Sequence, residues 1–266
     1  MAFKESILFV GGDSSGKTSS LFEIAGAHPD APVFMIDLEN KAGKIHAGLF
    51  PEVTNVTVRT AVNWDQLADA YEEAKKLLVP AGGEGWLFVD GLDKAWDMVQ
   101  ADFEMKVNKL NLADQIEALR LGTTTSGIDK WGWAKTKHNA YFMDVATGPA
   151  PFHVAMTTQI EPWVQEIVGK EKDDFVRDAL QAWGRFGFRP GGEKRNVSRF
   201  DTVFALKVDV GSGRPKYQVA TYKDKVRPYL HGDKTLWTTR EFPLWTQYVR
   251  ACEEALATGE RVILPA

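Results

Sequence analysis

The chain has 266 residues, of which 44% are hydrophobic, 11% aromatic and 26% charged; that is enough apolar material for one large or two small globular domains and excludes wholesale disorder. Thirty-two basic residues against 36 acidic ones leave a formal charge of −4, which argues against a generally basic coat for nucleic acid. The single cysteine, Cys252, excludes an intramolecular disulfide and a cysteine metal cluster.

A lone cysteine fits a reducing compartment, and the four apolar residues after Ser6 are too few for a signal peptide. No apolar run approaches the ~18 residues of a membrane span, so a soluble, cytoplasmic protein without membrane contact is expected. Neither a linker-like segment nor a repeat is visible, which favours a single domain over residues 1–266.

In chain order, the run Ser6 to Val10 is continuously apolar and stops at Gly11-Gly12, as a strand buried on both faces does. A helix is predicted from Lys17 through Leu21, Phe22 and Ile24 until Pro29. Pro32 to Asp37 is a second buried-type strand that ends in an acid. Between Trp64 and Leu78 the apolar positions 67, 70, 71, 74, 77 and 78 keep a helical period, with Pro80 and Gly82-Gly83 as stops. Trp86 to Asp90 and Phe152 to Met156 read as a third and a fourth buried strand. Alternation of strand and helix predicts an α/β domain, a mainly parallel central sheet flanked by helices. The long stretch 91–151 reads as an insertion with a helical part near 95–120. Past residue 200, Thr202–Val210 and Lys216–Tyr222 flank a Gly-containing turn, an antiparallel hairpin. Pro243 to Ala257 reads as a C-terminal helix with Cys252 on its apolar face.

Chemistry enters at Gly11, Gly12, Asp13, Ser14, Ser15, Gly16, Lys17 and Thr18, followed by Ser19. Glycine, four residues, then Gly-Lys-Thr, between a buried strand and a helix, is the phosphate-binding loop of nucleoside triphosphatases. Glycines let the backbone bend around phosphate oxygens, successive amides point at them, and the helix N-terminus adds partial positive charge. Lys17 is placed to reach the β- and γ-phosphates of ATP, and the Thr18 hydroxyl to ligate Mg²⁺. A hard cation wants a further carboxylate, and Asp90, at the carboxyl end of its strand, supplies it. Glu39 in Asp37-Leu-Glu39 is a candidate general base, and Gln159, at the polar end of Phe152 to Gln159, a candidate γ-phosphate contact.

In order and spacing these positions resemble the RecA/RAD51-type recombinase core, a RecA-like P-loop NTPase fold. The resemblance rests on the phosphate loop, on Ile36-Asp37-Leu38-Glu39, on Asp90, on Gln159, on Asn196 to Phe200 and on Tyr222-Lys223-Asp224-Lys225, and covers about residues 5 to 230. It implies catalytic roles for Lys17, Glu39 and Gln159. It also implies that Lys223 and Lys225 reach a neighbouring subunit's nucleotide in a homo-oligomer. The chain departs from full-length bacterial RecA in having almost nothing before the first strand and only a short tail. In size it looks most like the phage-encoded RecA-core proteins associated with single-strand annealing, which would act in the host cytoplasm.

Local charge adds to this. Residues 185–199 hold Arg185, Arg189, Lys194, Arg195 and Arg199 against Glu193, and residues 214–227 carry a similar excess. With Trp183, Phe186, Phe188 and Pro190-Gly-Gly192, the first segment has the make-up of a loop that binds single-stranded DNA by phosphate contact and base stacking. It falls where the resemblance puts the second DNA-binding loop, and Lys130 to Lys137, with Trp131 and Trp133, falls near the first. The leading reading is a DNA-stimulated ATPase for recombination, annealing or repair. The alternatives are a packaging or helicase-type motor, and a metal-dependent nuclease using Asp37, Glu39, Asp90 and Asp93.

Overall fold

A computed structural model describes residues 4–109, 130–162, 174–184, 186–209, 211, 215–225 and 238–239, with isolated positions at 114, 117, 120, 121 and 257. Strand β1 (Ser6–Gly11) is followed by α1 (Lys17–Ala27), β2 (Val33–Asp37), α2 (Ala42–Leu49), β3 (Val56–Thr60), α3 (Trp64–Leu78), β4 (Trp86–Asp90) and α4 (Leu92–Lys106). After the helix Lys130–His138, a π-helical turn and the short helix Asp144–Thr147 come β5 (His153–Thr158) and β6 (Ile160–Pro162). The helix Asp174–Gly184, β7 (Phe188–Pro190), the single turn Asn196–Arg199, β8 (Thr202–Asp209), β9 (Lys216–Asp224) and β10 (Thr238–Thr239) follow.

Eight strands form one sheet in the order β10-β9-β8-β1-β5-β4-β2-β3. From β8 to β3 every neighbouring pair is parallel, while β9 runs antiparallel to β8 and β10 antiparallel to β9. The expected α/β P-loop NTPase architecture is the one observed. The hairpin is not an appendage, because its first strand is the parallel neighbour of β1 and continues the central sheet.

Side-chain alternation explains the uninterrupted apolar runs. Leu8, Val10, Phe34, Ile36, Leu87, Val89, Val154 and Met156 face a core closed by α3, α4 and the 130–152 segment. Ile7, Phe9, Val33, Met35, Trp86, Phe88 and Ala155 face a second core under α1 and α2. A strand covered on both faces has no solvent-facing residue to make polar. α3 begins and ends where its signals say: Asn63 caps it by accepting the Gln66 amide at 2.9 Å, and Leu67, Ala70, Tyr71, Ala74 and Leu78 are buried.

Three expectations need correction. The helix near 95–120 ends at Lys106, and Lys109 adopts a positive φ of 56°, so the insertion is broken into separate helical pieces. Lys130 to Lys137 is a helix rather than a loop: Trp133 packs edge-on against Phe103, Lys137 pairs with Asp102, and Lys130 pairs with Glu104 at 2.8 Å. Its basic and aromatic residues bind it to α4, although Trp131 stays 53% exposed. Elements α2, β3 and the separate antiparallel pair β6–β7 have no counterpart among the expected elements; β3, at the sheet edge, is only partly buried and has no strong apolar run. The predicted C-terminal helix 243–257 lies outside the described residues except Ala257. Among the described residues no helix is long and apolar enough to cross a membrane.

Candidate functional site

The carboxyl ends of β1, β5, β4 and β2 lie side by side, with Val10 opposite Thr158, Thr157 opposite Asp90 and Asp90 opposite Asp37. Such an edge collects whatever the sequence places at strand ends. Here it collects the phosphate loop, two acids, two threonines and Gln159.

The loop leaves β1 at Gly11, where a Cβ would lie 2.3 Å from Ser15 Oγ and 2.7 Å from the Leu206 carbonyl oxygen. Only glycine fits. Ser14 and Gly16 take left-handed backbone angles, which curl the loop before α1 starts at Lys17. Lys17 is 6% exposed, and its Nζ donates to the Gly11 and Gly12 carbonyl oxygens at 2.9 and 2.8 Å and to Gln159 Oε1 at 3.3 Å. Burial pulls this ammonium below its ordinary pKa, against the carboxylates of Glu39, Asp90, Asp13 and Asp93 that favour its charge.

Thr18 Oγ1 donates to Asp90 Oδ2 at 2.8 Å, and Thr157 Oγ1 to Asp90 Oδ1 at 2.6 Å. Asp90 is 1% exposed, and burial pushes its carboxyl up to about 6 in spite of those two hydrogen bonds. A carboxylate this far from water, touching the hydroxyl that ends the phosphate loop, is stabilised by a cation placed between them. The Ser15 hydroxyl is also buried and, among the described residues, has no hydrogen-bond partner, so the loop holds a polar atom in want of a ligand. The donor set, a neutral hydroxyl and a carboxyl group with oxygen atoms only, fits Mg²⁺ bound with a nucleotide.

Gln159 joins the two sides of the site. Its Nε2 donates to Asp13 Oδ1 and to Glu39 Oε1, both at 3.0 Å, while its Oε1 accepts from Lys17. Glu39 Oε2 accepts from Lys41 Nζ at 3.0 Å. Burial raises the Glu39 carboxyl, but the hydrogen bonds from Gln159 and Lys41, with the charges of Lys41 and Lys17, hold it below the usual range. It is therefore ionised near neutrality, as a proton acceptor must be. Asp37 plays a different part. Its oxygens accept the amides of Glu39 at 3.0 Å and Ala42 at 2.8 Å, which shapes the turn carrying Glu39.

Lys17, Thr18, Glu39, Asp90 and Gln159 thus converge. Thr157 and Lys41 join them although neither belongs to a motif; each is placed by the register of its strand or by the turn after β2. Lys223 and Lys225 lie elsewhere: Lys223 Nζ donates to the Val197 carbonyl at 2.7 Å, and Lys225 Nζ lies 3.5 Å from both the Ser198 carbonyl and Asp201 Oδ1. Burial, with help from Lys225, lowers Lys223 to about 8. In the basic segment Arg189 pairs with Glu161, Arg199 lies 3.3 Å from Asp144 Oδ1, and Lys194 and Arg195 are exposed. Arg185 lies outside the described residues. Trp183 and Phe188 are buried, with Trp183 stacked on Tyr222 at 4.3 Å.

No family model matches the chain. In an alignment 178 positions long that covers 62% of this chain, it is 27% identical to the ATP-dependent protease ATPase subunit HslU of Chelativorans sp. (strain BNC1), and it spans 38% of that longer protein. A KaiC-like protein from the hyperthermophilic archaeon Pyrococcus horikoshii OT3 superposes with a TM-score of 0.44 and 13% identity, covering 84% of this chain and 80% of that one. The phosphate loop at the end of β1, the mainly parallel sheet and the Thr18–Asp90 contact are the arrangement of the P-loop NTPase α/β fold.

Proposed function

We propose that the protein binds ATP with Mg²⁺, hydrolyses it, and uses the cycle on single-stranded DNA in recombination, annealing or repair. The observation that carries the reading is the convergence of Lys17, Glu39 and Gln159 through the Gln159 amide, with contacts of 3.0–3.3 Å, beside the Thr18–Asp90 pair. Lys17 and the loop amides hold the β- and γ-phosphates. Thr18 and Asp90 would hold Mg²⁺, which neutralises phosphate charge. Glu39 orients a water and accepts its proton as the oxygen bonds to the γ-phosphorus and the bond to the β–γ bridging oxygen breaks, releasing ADP and phosphate. Gln159 contacts the γ-phosphate side of this arrangement.

The DNA assignment is supported by the exposed Lys194 and Arg195 on a segment that follows Gln159 in space: β6, which starts at Ile160, pairs with β7, with Glu161 opposite Arg189. Assembly of several copies, with Lys225 reaching a neighbour's nucleotide, is supported by the exposure of that lysine at 54%. Phosphate release from ATP, measured with and without a single-stranded oligonucleotide, tests the proposal. Removal of the Lys17 charge in Lys17→Ala is expected to lower the rate by about 10²-fold or more. Activity surviving that change, or none in the wild-type protein under either condition, refutes it. Mass measurement with ATP and the oligonucleotide together tests the assembly.

A further inference from the structure

Gln159 lies between the end of β5 and the start of β6, so its peptide groups need partners of their own. They find two. Its N–H donates to Asp93 Oδ1 at 3.0 Å, and its carbonyl accepts from the Gly191 amide at 2.8 Å. Thr158 Oγ1, one residue earlier, lies 3.4 Å from Asp93 Oδ1 and 3.2 Å from the Gly191 carbonyl oxygen. Asp93 is the second residue of α4 and is 9% exposed. The turn before Glu193 presses on it. A Cβ on Gly191 would lie 3.3 Å from Asp93 Cβ, and one on Gly192, where φ is +86°, 3.2 Å from Asp93 Cα. Side chains at 191 and 192 would hold the two segments apart.

We propose that Asp93 is a positioning residue: its carboxylate fixes the Gln159 peptide and its backbone seats the Gly191–Gly192 turn, so that the Gln159 side chain is aimed at Lys17, Glu39 and Asp13. The assignment rests on the reading of Gln159 as part of the nucleotide site. A buried acid in the first turn of a helix has another common use, which is to offset the helix dipole. The two roles separate by chemistry. Dipole compensation needs the charge, whereas positioning needs an oxygen acceptor at the same place. Asparagine keeps the oxygen and loses the charge; alanine loses both.

The test measures kcat, nucleotide affinity and amide hydrogen exchange at Gln159 in wild type, Asp93→Asn and Asp93→Ala. A displacement of about 1 Å in a positioned group costs up to 10²-fold in rate. Asp93→Ala is therefore expected to lose about tenfold or more in kcat with the affinity for a fluorescent ATP analogue changed by less than about twofold. Its Gln159 amide is expected to exchange faster, and Asp93→Asn to restore both readouts to near wild type. Gly191→Ala leaves Asp93 in place but pushes the turn away, and is expected to lower kcat in the same manner. An asparagine variant with a Gln159 amide as unprotected as that of the alanine variant overturns the proposal, and so does an alanine variant with unchanged protection. If alanine prevents folding, loss of Gln159 protection in the asparagine variant alone overturns it, and retention supports it. Amide exchange needs no hydrolysis, so a wild-type protein without ATPase activity refutes the proposed function while the role of Asp93 is still decided.

Discussion

The corner around the phosphate loop and the basic segment 186–199 are both rich in charge, and the fold treats them differently. At the corner the charged groups face one another across a few ångströms: Lys17 reaches Gln159, Gln159 reaches Glu39 and Asp13, and Thr18 reaches Asp90. In the basic segment two arginines turn to acids brought from elsewhere in the chain, Arg189 to Glu161 and Arg199 to Asp144, while Lys194 and Arg195 remain exposed. A motif written in backbone geometry brings its contacts with it. A cluster of like charges acquires meaning only when the fold has decided which carboxylates lie beside it.

The sharpest way to test this contrast is Glu39→Gln. Removing a general base costs 10²–10⁴-fold in rate in typical enzymes, so kcat for ATP is expected to fall by about 10²-fold or more with nucleotide binding retained. A variant as fast as wild type would place the proton acceptor elsewhere and dissolve the unity of the corner.

The second region is tested by pH. His138 Nε2 lies 3.3 Å from Asn196 Oδ1, and Asn196 opens the helical turn that follows the basic loop. Trp64, Trp96 and Phe142 surround the imidazole. Burial lowers His138 to about 4, with the Arg199 charge adding to this and the Asn196 contact opposing it. The unfolded chain takes up the proton near pH 6.5 and the folded one only near 4, so stability falls as pH drops through that window. The loss reaches on the order of 3 kcal/mol by pH 4. His138→Phe is expected to flatten the melting temperature between pH 6.5 and 4; an unchanged slope would show that other groups set it.

The smallest effects separate the exposed cations Lys194 and Arg195 from the half-buried Arg189 and Arg199. Replacing Lys194 and Arg195 together by alanine is expected to weaken single-stranded DNA binding by about tenfold and to flatten its salt dependence by about 1.4 in logarithmic slope, the value for two phosphate contacts. Arg189→Ala and Arg199→Ala are expected instead to cost on the order of 1 kcal/mol in thermal stability with little change in that slope. If all four residues lower the slope alike, the distinction between the two pairs fails.

Much of the fold is legible in residue order. The runs 6–10, 32–37, 86–90 and 152–156 announce buried strands, observed at Ser6–Gly11, Val33–Asp37, Trp86–Asp90 and His153–Thr158, because a parallel strand covered on both faces has no polar side. α3 is legible because its cap and stripe are local. β3 is not, since an edge strand with exposed Thr57, Arg59 and Thr60 resembles a loop in composition. The helix Lys130–His138 misleads for a related reason: its lysines and tryptophans look like a nucleic-acid surface until Asp102, Glu104 and Phe103 of α4 are seen beside them.

By itself the sequence determined the phosphate loop, because Gly11 through Thr18 lie within eight consecutive positions and their geometry is enforced by the backbone. It also marked Glu39, Asp90 and Gln159 as acids and an amide at strand ends. Only the tertiary structure decided that these ends are neighbours. That follows from β5 lying between β1 and β4, a matter of which apolar faces pack together. The same packing decided that Asp37 shapes a turn, that Asp93 accepts the Gln159 amide, and that Arg189 and Arg199 of the basic segment are half-buried beside acids while Lys194 and Arg195 are exposed.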